Sequence, residues 1–336
     1  MTERTYDLLA MGRSSIDLYS NDEGSRFPEI RSFGAFVGGC PTNIVVGARR
    51  LGMRTALLTA VGDDPVGDFV LEFLAREAVE TRYIVRKSGR RTSAVLLGIE
   101  PPDRFPLVFY RDGCADVEFG IDDVLAAPIT DTRALLITGT GLSCEPCRSA
   151  TLFAAERAAD AGVEVFLDAD FRPDQWHDPR AYGVAVRSSL RWLDVVIGTE
   201  AELSALAMRD DAEVVIEGAR NSEPSVDGNL AAAIDLILGA GPHTVVVKRG
   251  AEGSMVHLSS GEVICAEPFD VEVKNVLGAG DAFAAGLIYG HLKGWDWERA
   301  ASMGNATGAI VVTRQGCANF MPSECEALEL FQSREA

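Results

Sequence analysis

The feature that most restricts the fold of this chain is a regular alternation of short apolar runs with segments of helical periodicity. The runs are apolar nearly throughout, which is typical of strands buried on both faces of a parallel sheet. They stand at 6–11, 55–61, 134–138, 163–167, 194–197 and 244–248. Helical segments lie between them, and one starts at the capping pair Asp64-Pro65. This order predicts an α/β fold with a largely parallel sheet.

A β-rich insertion interrupts the alternation. Residues 92–99 and 107–111 predict two strands around a Pro-rich connection. A hairpin in this position is typical of a lid or of a dimer edge. We therefore expect a small β-sheet lid, formed by segments near 13–38 and 90–112, on a single domain that spans 1–336. The sequence is also compatible with a homodimer that forms through this lid.

The charge of the chain disfavours two classes of partner. The formal net charge is −19, whereas nucleic acids and anionic membranes are bound by basic surfaces. No apolar run is long enough to span a bilayer, and the N-terminus lacks the basic and apolar regions of a signal peptide. We expect neither nucleic acid nor membrane as a partner. A small anionic ligand remains compatible, since a few local Arg, Lys and backbone N–H groups can hold one.

The cysteines indicate a cytoplasmic protein. There are seven, an odd number without the spacing of a disulfide framework, which indicates a reducing compartment. Cys144 and Cys147 have CxxC spacing, but a zinc site would need a second such pair, and the sequence has none. We interpret these two residues as ordinary thiols at the start of a helix.

A glycine turn in the C-terminal part of the chain has the chemistry of a phosphate site. Gly278-Ala279-Gly280 follows a β-like segment at 269–273 and opens a run at 282–288 that predicts a buried helix, because it is apolar on nearly every face. The first turn of a helix carries free N–H groups and the positive end of the helix dipole. Because glycine has no side chain, a phosphate can approach this backbone closely.

Asp281 stands in the same turn and needs its own explanation, because a carboxylate repels phosphate. The side chain could cap the helix by accepting hydrogen bonds from free N–H groups. It could instead be a base that takes the proton of a hydroxyl group attacking phosphorus. Taken by itself, the Gly-Ala-Gly-Asp turn fits both explanations.

Several charged residues stand where predicted strands end, which is where open α/β sheets bind ligands. Asp17 follows the first strand, and Asp168, Asp170 and Arg172 follow a later core strand. A core strand that ends in charged residues indicates a site more strongly than a lone charge does. Arg111 ends a strand of the insertion, where it would either grip an anion or remain solvated.

A second glycine pair precedes an early helix. Gly38 and Gly39 stand before a predicted helix that begins near Pro41 and stops at Gly52. The two glycines permit a ligand to approach the backbone closely. Asn43, one turn inside the helix, can reach the same place. By itself, such a pair does not specify a function.

Together, these motifs resemble the ribokinase-like (PfkB) family of carbohydrate kinases. The N-terminal signature of that family is matched by Gly38-Gly39, Asn43, Gly52 and Gly62, and the C-terminal signature by Gly278-Ala279-Gly280-Asp281. Two signatures in the right order and far apart are more specific than either alone. The resemblance extends over about 12–316. It implies a ribokinase-like three-layer α/β/α sandwich with a mainly parallel central sheet and a small β-sheet lid.

The resemblance also implies an activity, the ATP-dependent phosphorylation of a sugar. Stretches at 106–111 and 168–173 resemble the branch of the family that acts on sugar acids, so we expect a sugar acid phosphorylated at a primary hydroxyl group. The implied cofactors are ATP and Mg²⁺, and a monovalent cation such as K⁺ is a further candidate. The implied partners are therefore small molecules, a sugar acid and ATP.

The same resemblance assigns roles to individual residues. For catalysis these are Asp281 as the base and Gly278, Ala279 and Gly280 as an anion hole for the γ-phosphate. For substrate they are Asp17, Gly38, Gly39, Asn43, Arg111, Arg172 and Asp281, with both arginines on the acid group, for which a guanidinium fork is suited. For the nucleotide they are Lys248, Gly250, Gly253, Asn275, Gly278, Gly280 and Asn305. Glu200 would organise Mg²⁺ through water, or would only favour the dipole of the helix that it starts.

Two positions depart from the pattern of the family. Asn275-Val276 stand where many members have Asp-Thr, and Ile197 stands where an Asn is usual. Both departures concern the expected binding of metal and of a monovalent cation.

Three other functions compete with this expectation. Another sugar kinase of the same fold is the nearest, and a sensor that binds sugar or nucleotide without catalysis is the second. The third is an α/β dehydrogenase, which is disfavoured because Gly12-Arg13-Ser14 stands where a G-x-G-x-x-G motif would follow the first strand.

Overall fold

A computed structural model describes residues 4–100, 105–209, 216–217, 225–315 and 317–334. Residues 101–104, which belong to the connection of the predicted hairpin, lie outside this description. The described residues contain fifteen strands in three sheets. They are β1 (Tyr6–Met11), β2 (Ser15–Ser20), β3 (Phe33–Gly38), β4 (Thr55–Gly62), β5 (Ile84–Lys87), β6 (Ser93–Leu97), β7 (Leu107–Tyr110), β8 (Thr132–Thr138), β9 (Glu164–Asp168), β10 (Val195–Thr199), β11 (Ile216–Glu217), β12 (Ser225–Val226), β13 (Thr244–Lys248), β14 (Ser254–Leu258) and β15 (Val263–Ala266).

The main sheet has the order β15-β14-β13-β10-β9-β8-β1-β4-β5. All of its pairs from β13 to β5 are parallel. At the other edge, β13, β14 and β15 pair antiparallel, while β11 and β12 form a separate short pair. The prediction of a mainly parallel sheet is confirmed.

Helices cover both faces of the main sheet. They are α1 (Cys40–Arg50), α2 (Pro65–Arg76), α3 (Ile121–Leu125), α4 (Cys147–Asp160), α5 (Pro179–Ser189), α6 (Glu200–Ala207), α7 (Leu230–Leu238), α8 (Ala279–Leu292), α9 (Trp297–Val312) and α10 (Glu324–Gln332). Side chains of β1 alternate between two cores, with Leu8 in the core under α1, α2 and α8–α10, and Leu9 in the core under α3–α7. This confirms the three-layer α/β/α sandwich. Within the described ranges, no helix combines the length and the apolar character needed to cross a membrane.

A small sheet of four strands, in the order β3-β2-β6-β7, stands beside the main one. β2 pairs antiparallel with β3 and parallel with β6, and β6 pairs antiparallel with β7. The strands come from the two segments, near 13–38 and 90–112, in which the sequence predicts them. The small sheet therefore joins an early part of the chain to the β-rich insertion.

The two faces of the small sheet differ in burial. The inner face carries Asp17, Tyr19, Val95 and Leu97, which are buried, and part of it packs on Leu277. The outer face carries Leu18, Leu96, Val108 and Tyr110, and the last two are 38% and 59% exposed. The outer face is thus apolar as well, and among the described residues it is the more exposed of the two.

Helices α8 and α9 pack at close range because small residues face each other. A Cβ on Gly286 would lie 2.4 Å from Thr307 Oγ1 and 2.7 Å from the Met303 carbonyl oxygen. The Thr307 hydroxyl donates across the helix pair to the Ala282 carbonyl oxygen at 2.7 Å. The residues of α8 from Ala282 to Gly290 are buried, which agrees with the predicted buried helix. The start of α8 is thereby fixed against a rigid neighbour.

The β-like segment predicted at 269–273 is not a strand, and this prediction is wrong. The chain leaves the sheet at the end of β15, and Phe269, Val271 and Val273 line a cleft beside the start of α8 instead. Apolar residues at alternate positions can cover a ligand cleft as well as the face of a sheet. Periodicity alone does not distinguish these two uses.

We expect Gly286→Ala to destabilise the protein although alanine is the better helix former. Helix propensity favours alanine by about 1 kcal/mol, but an extra methyl group in a tightly packed core costs about 1–3 kcal/mol. Because the added Cβ would lie only 2.4 Å from Thr307 Oγ1, we expect the packing cost to exceed the gain in helix propensity. Denaturant unfolding measures the effect. Ala232→Gly, at an exposed position of α7, is the control and should cost only the propensity. A Gly286→Ala protein at least as stable as the wild type would contradict the close packing.

Candidate active site

The candidate site lies at the carboxyl ends of the parallel strands β1, β9, β10 and β13, where such sheets bind ligands. Helices α1 and α8 begin at the same edge. A cavity of about 470 Å³ is lined by Asp168, Arg172, Lys248 and Asp281, among others. A second cavity, of about 650 Å³, also contacts Lys248 and extends away along α9. The two cavities together form one elongated cleft.

The turn before α8 presents backbone N–H groups to this cleft. Gly278 is the N-cap residue, with a φ of 79° that glycine adopts without strain. The N–H of Ala282 donates to the Gly278 carbonyl oxygen at 2.9 Å. The N–H groups of Gly280 and Asp281 come before this bond and have no acceptor among the described residues. Lys248 Nζ lies 3.2 Å from where a Cβ on Gly280 would be, so free amides and an ammonium group face the same space.

Neighbouring side chains and amides hold this turn in place. The N–H of Ala279, predicted to belong to the anion hole, donates to the Val276 carbonyl oxygen at 3.2 Å. The side chain of Asn275 accepts from the Leu277 N–H at 3.0 Å and donates to the Gln315 carbonyl oxygen at 2.7 Å. Both polar atoms of the Asn275 side chain are thus used inside the protein. The structure places this residue, predicted at the nucleotide, as a support of the turn.

Asp281 lies in the first turn of α8 and does not cap it. The cap residue is Gly278, which has no side chain to offer. The Oδ2 of Asp281 instead accepts a hydrogen bond of 2.6 Å from Nδ2 of Asn43, on α1. Asn43 Oδ1 is buried and has no hydrogen-bond partner in the described part of the chain. The geometry therefore excludes the capping explanation and leaves an acceptor beside Asp281 for a ligand hydroxyl group.

The environment of Asp281 makes it a stronger base than a free carboxylate. Burial raises the pKa of Asp281 to about 6. The bond from Asn43 and the charge of Lys248 oppose this effect, whereas the negative charge of Asp170 adds to it. A free Asp has a pKa of about 3.9. Asp281 is therefore still largely ionised at pH 7 while holding a proton more readily than an exposed carboxylate does.

Lys248 is a buried ammonium group held by two carboxylates. Its Nζ lies 3.2 Å from Asp168 Oδ2 and 3.5 Å from Glu202 Oε2. Burial acts to lower the pKa of Lys248, but the two carboxylates raise it above its usual range, so the side chain stays charged. Burial acts to raise the pKa of Asp168 as well, and the charge of Lys248 opposes that rise. The ammonium group is thus fixed beside Gly280, where it can stabilise a bound anion.

Glu200 and Glu202 take different positions at the start of α6. Glu202 is part of a capping box, since its Oε2 accepts from the Thr199 N–H at 2.7 Å. Glu200 lines the smaller cavity, is 53% exposed and pairs with Arg249 Nε at 3.1 Å. The described residues contain no cluster of three or more side chains that could bind a metal by themselves. A divalent cation here would therefore depend on ligand oxygens and water, as Mg²⁺ commonly does.

Asp17 fits tightly against the early glycine pair. A Cβ on Gly38 would lie 2.0 Å from Asp17 Oδ2, and a Cβ on Gly39 would lie 2.3 Å from the Arg13 carbonyl oxygen. The Ser15 hydroxyl donates to Asp17 Oδ1 at 2.7 Å. Burial raises the pKa of Asp17, and Arg13 and Ser15 oppose the rise. The two glycines are therefore required by the close approach of this carboxylate and of the backbone.

Arg172 belongs to a chain of polar contacts after β9. Its Nε donates to Asp170 Oδ1 at 3.0 Å, and Asp170 Oδ2 accepts from Thr140 Oγ1 at 2.7 Å. Burial would raise the pKa of Asp170, but the Arg172 guanidinium and the Thr140 hydroxyl hold it below its usual range. Asp170 also has a φ of 35°, an uncommon conformation for a residue other than glycine. This tightly determined loop turns the guanidinium of Arg172 towards the smaller cavity.

Arg111 lies beneath this chain of contacts and is bonded mainly to the protein. Its Nε pairs with Asp116 Oδ2 at 2.7 Å, and its Nη1 donates to the Thr140 carbonyl oxygen at 3.0 Å and to Ser143 Oγ at 3.1 Å. Only Nη2 is without a hydrogen-bond partner among the described residues. The structure thus gives Arg111, predicted to hold an acid group, chiefly a supporting position under Thr140.

The larger cavity is lined by glycines on one side and by apolar side chains on another. Gly250 and Gly253, in the connection from β13 to β14, have φ values of 55° and 81°. A Cβ on Gly253 would lie 2.2 Å from the Ala266 carbonyl oxygen. Asn305 of α9 lines the cavity and donates to the same oxygen at 2.9 Å. With the apolar residues of 269–273, this cavity is suited to a flat ring system.

The sequence interpretation missed two parts of the site. Arg13 lies two residues after the end of β1, is 7% exposed and acts electrostatically on both Asp17 and Asp170. Its position after a central strand is the signal that could have identified it. The contact of Lys248 with Asp168 was also missed, because it joins residues 80 positions apart. No local pattern reports such a pairing.

Comparisons with known sequences agree with this arrangement. The family described as pfkB family carbohydrate kinase matches residues 6–324. A 5-dehydro-2-deoxygluconokinase from Geobacillus thermodenitrificans (strain NG80-2) is 31% identical over 322 residues, which are 96% of this chain and 91% of the relative.

Two solved structures share the fold. A ribokinase II candidate from E. coli, in complex with ATP and Mg²⁺, has a TM-score of 0.84 and 22% identity over 98% of this chain and 99% of that one. A fructokinase from Vibrio cholerae O395, in a form with fructose, ADP and potassium ion, has a TM-score of 0.83 and 23% identity over 98% of this chain and 100% of that one. At these identities, the likeness shows a ribokinase-like fold. Since the family match covers nearly all of the sequence, this chain belongs to the pfkB family of carbohydrate kinases, which are phosphotransferases with an alcohol group as acceptor.

Proposed function

We propose that this protein phosphorylates 5-dehydro-2-deoxy-D-gluconate with ATP to give the 6-phosphate. The observation that carries the proposal is the position of Asp281, a carboxylate with a raised pKa beside free N–H groups at the start of α8. A base next to an anion hole is what transfer of a phosphoryl group to a hydroxyl group requires. The relative named 5-dehydro-2-deoxygluconokinase, at 31% identity, supports the choice of substrate.

The residues of the site suggest how the transfer proceeds. Asn43 and Asp17 position the sugar so that its primary hydroxyl group lies against Asp281. The amides of Gly280 and Asp281, with the Lys248 ammonium group, stabilise the charge of the transferred phosphoryl group. Even with its raised pKa, Asp281 is far less basic than an alkoxide. It therefore accepts the proton late, as the new bond to phosphorus forms. Positioning and charge stabilisation supply most of the rate.

We propose ATP as the donor and Mg²⁺ as the metal, as in the E. coli relative. The larger cavity, with Gly250, Gly253 and Asn305, would take the nucleoside, and its phosphates would extend towards Gly278 and Gly280. Glu200 would hold Mg²⁺ through water, and the metal would neutralise phosphate charge. For K⁺ we assign no site, because the polar atoms of Asn275 already bind the protein.

The free state of all seven cysteines supports a cytoplasmic enzyme.

The acid group of the substrate would be held by arginine. Arg172 faces the smaller cavity, and Arg111 lies below it with Nη2 left over. These two residues do not separate the proposed substrate from 2-keto-3-deoxygluconate, which is also an acid, so a kinase for that compound is the alternative. An ATP-coupled assay across keto-deoxy sugar acids and plain sugars decides among them. Turnover with ribose or fructose alone would refute an acid-binding site, and no turnover at all would favour a sensor.

We further propose that the small sheet is both a lid over the sugar and the contact between two copies of the chain. Its inner face brings Asp17 to the site. Its outer face is apolar, whereas an antiparallel sheet with one solvated face is normally polar there. Val108 and Tyr110 are the most exposed residues of this face. A second copy that applies the same face would bury both patches in a symmetric contact.

We expect Asp281→Asn to lower kcat by about 10²–10⁴-fold, the usual contribution of a positioned general base. The amide cannot accept the proton, but it keeps the size of the side chain, so binding of ATP should change little. Steady-state kinetics and calorimetric titration with ATP measure the two effects. Near-normal turnover of this variant would remove Asp281 from the role of base.

The pKa of Asp281 predicts the pH dependence of the reaction. Because the base must be ionised, kcat/KM should rise with pH up to about 6 and level off above pH 7. The hydrogen bond from Asn43 stabilises the ionised form, so Asn43→Ala should raise the pKa of Asp281 and move the acid limb to higher pH. Rates measured from pH 5 to pH 8 test this. A limb that stays in place or moves to lower pH would contradict the assignment.

The proposed dimer predicts a change in mass when its face is made polar. Val108→Asp should convert a dimer into a monomer, because it places a charge in an apolar contact. Val184→Asp is the matched control, since Val184 is 62% exposed on α5, outside the small sheet. Analytical ultracentrifugation measures both variants. A wild-type protein that is monomeric at high concentration, or an effect of Val184→Asp equal to that of Val108→Asp, would refute the contact.

A further inference from the structure

Arg13 is a buried cation whose hydrogen-bonding capacity is mostly unused. It is 7% exposed, and it is one of two arginines with less than a tenth of their surface exposed in the described part of the chain. The other, Arg111, forms an ion pair with Asp116 and bonds to three further groups of the protein. Arg13 makes a single recorded hydrogen bond, from Nη1 to Ser15 Oγ at 2.6 Å, and no ion pair among the described residues.

Buried charges in proteins are normally paired, because removal of an ion from water is costly. The other cations of this cleft follow the rule, since Lys248 pairs with Asp168 and Arg172 pairs with Asp170. Arg13 has no such carboxylate in direct contact. Its Nε and Nη2 groups are without a hydrogen-bond partner among the described residues, although only 7% of the residue is exposed. A site of this kind is ready for an anion that comes from outside the chain.

The guanidinium group of Arg13 is held in a fixed plane. It lies over the ring of Phe109, with 5.1 Å between the guanidinium carbon and the ring centroid. The Ser15 hydroxyl oxygen accepts a hydrogen bond from Nη1 of Arg13. The same hydroxyl donates a hydrogen bond to Oδ1 of Asp17. Phe109 and Asp17 both belong to the small sheet. Arg13 is therefore oriented before any ligand arrives, which favours the bidentate contact that a carboxylate makes with arginine.

Arg13 lies next to Asp17, the carboxylate that we propose for the sugar, because the Ser15 hydroxyl bonds to both residues. Its charge acts on Asp17, on Asp170 and on Asp174, so it lies between the small sheet and the loop after β9. Asp170 also pairs with Arg172. Two guanidinium groups thus flank one loop, and both Asp17 and Asp170 already have protein donors.

We propose that Arg13 binds the carboxylate of the sugar acid and, with Arg172, forms the group that selects acids over neutral sugars. This inference rests on the proposed function and makes it more specific, since it assigns the recognition of the acid to a residue at the end of β1. Arg111 then acts from below, through Thr140, on the position of Asp170 and Arg172.

The test compares Arg13→Gln with the wild type on two substrates, 5-dehydro-2-deoxygluconate and its uncharged carboxamide. The loss of one partner of a buried charge pair should lower kcat/KM for the acid on the order of 100-fold, through KM rather than kcat. The carboxamide should be affected less than about threefold, because it brings no charge to pair. Arg13→Lys should recover part of the loss, since it keeps the charge without the fork.

Arg187→Gln provides a matched control. Arg187 is a partly buried arginine between α5 and α6 that donates to the carbonyl oxygens of Leu206 and Met208. Its replacement should leave the preference for acid over carboxamide unchanged. The melting temperature of Arg13→Gln should stay within a few degrees of the wild type, because no protein carboxylate loses an ion-pair partner.

Two results separate failure of this inference from failure of the proposed function. If the wild type turns over the acid but Arg13→Gln lowers both substrates equally, or leaves KM for the acid unchanged, Arg13 does not bind the carboxylate. If the wild type turns over no sugar acid, the proposed function fails and the role of Arg13 fails with it. A loss confined to the acid, with partial recovery in Arg13→Lys, supports both.

Discussion

The site depends on charges that are buried together at the carboxyl edge of a parallel sheet. Lys248 lies between Asp168 and Glu202, and Arg172 is held by Asp170. In a medium of low polarity, each of these ions needs its partner, so the pairs fix one another in place. The same removal of water raises the pKa of Asp281. Burial thus provides both the rigidity of the site and the basicity of the residue at its centre.

Burial of apolar side chains in the two cores offsets the free-energy cost of burying these charges. Each parallel strand of the main sheet contributes side chains to a core on either face, and α8 is enclosed on nearly every side. This part of the structure follows from local rules, because apolar runs of strand length and helical periodicity can be recognised within a few residues of sequence. The segments of the small sheet and the glycine turn at 278–280 were predicted for the same reason. Glycines that precede a helix mark the turn without reference to the rest of the chain.

The sequence does not reveal which polar residues hold the site and which stand free in it. Arg13 and Arg111 are the same residue type, are equally buried and follow strands, but only Arg111 has a carboxylate, Asp116, in contact. Asn275 was expected at the nucleotide, and the structure uses both ends of its amide to join two loops. Glu202 rather than Glu200 reaches Lys248. These distinctions depend on contacts between distant parts of the chain, and therefore on the finished fold.

The hydrogen bond between Asn43 and Asp281 connects positions 238 residues apart. During synthesis, α1 leaves the ribosome long before α8 does, and α9 must follow before α8 has its packing partner. A chain that ends before α8 can therefore form most of the parallel sheet without the contact between Asn43 and Asp281 or the turn at the start of α8. The phosphoryl transfer proposed above would therefore require a chain that has been synthesised through α9.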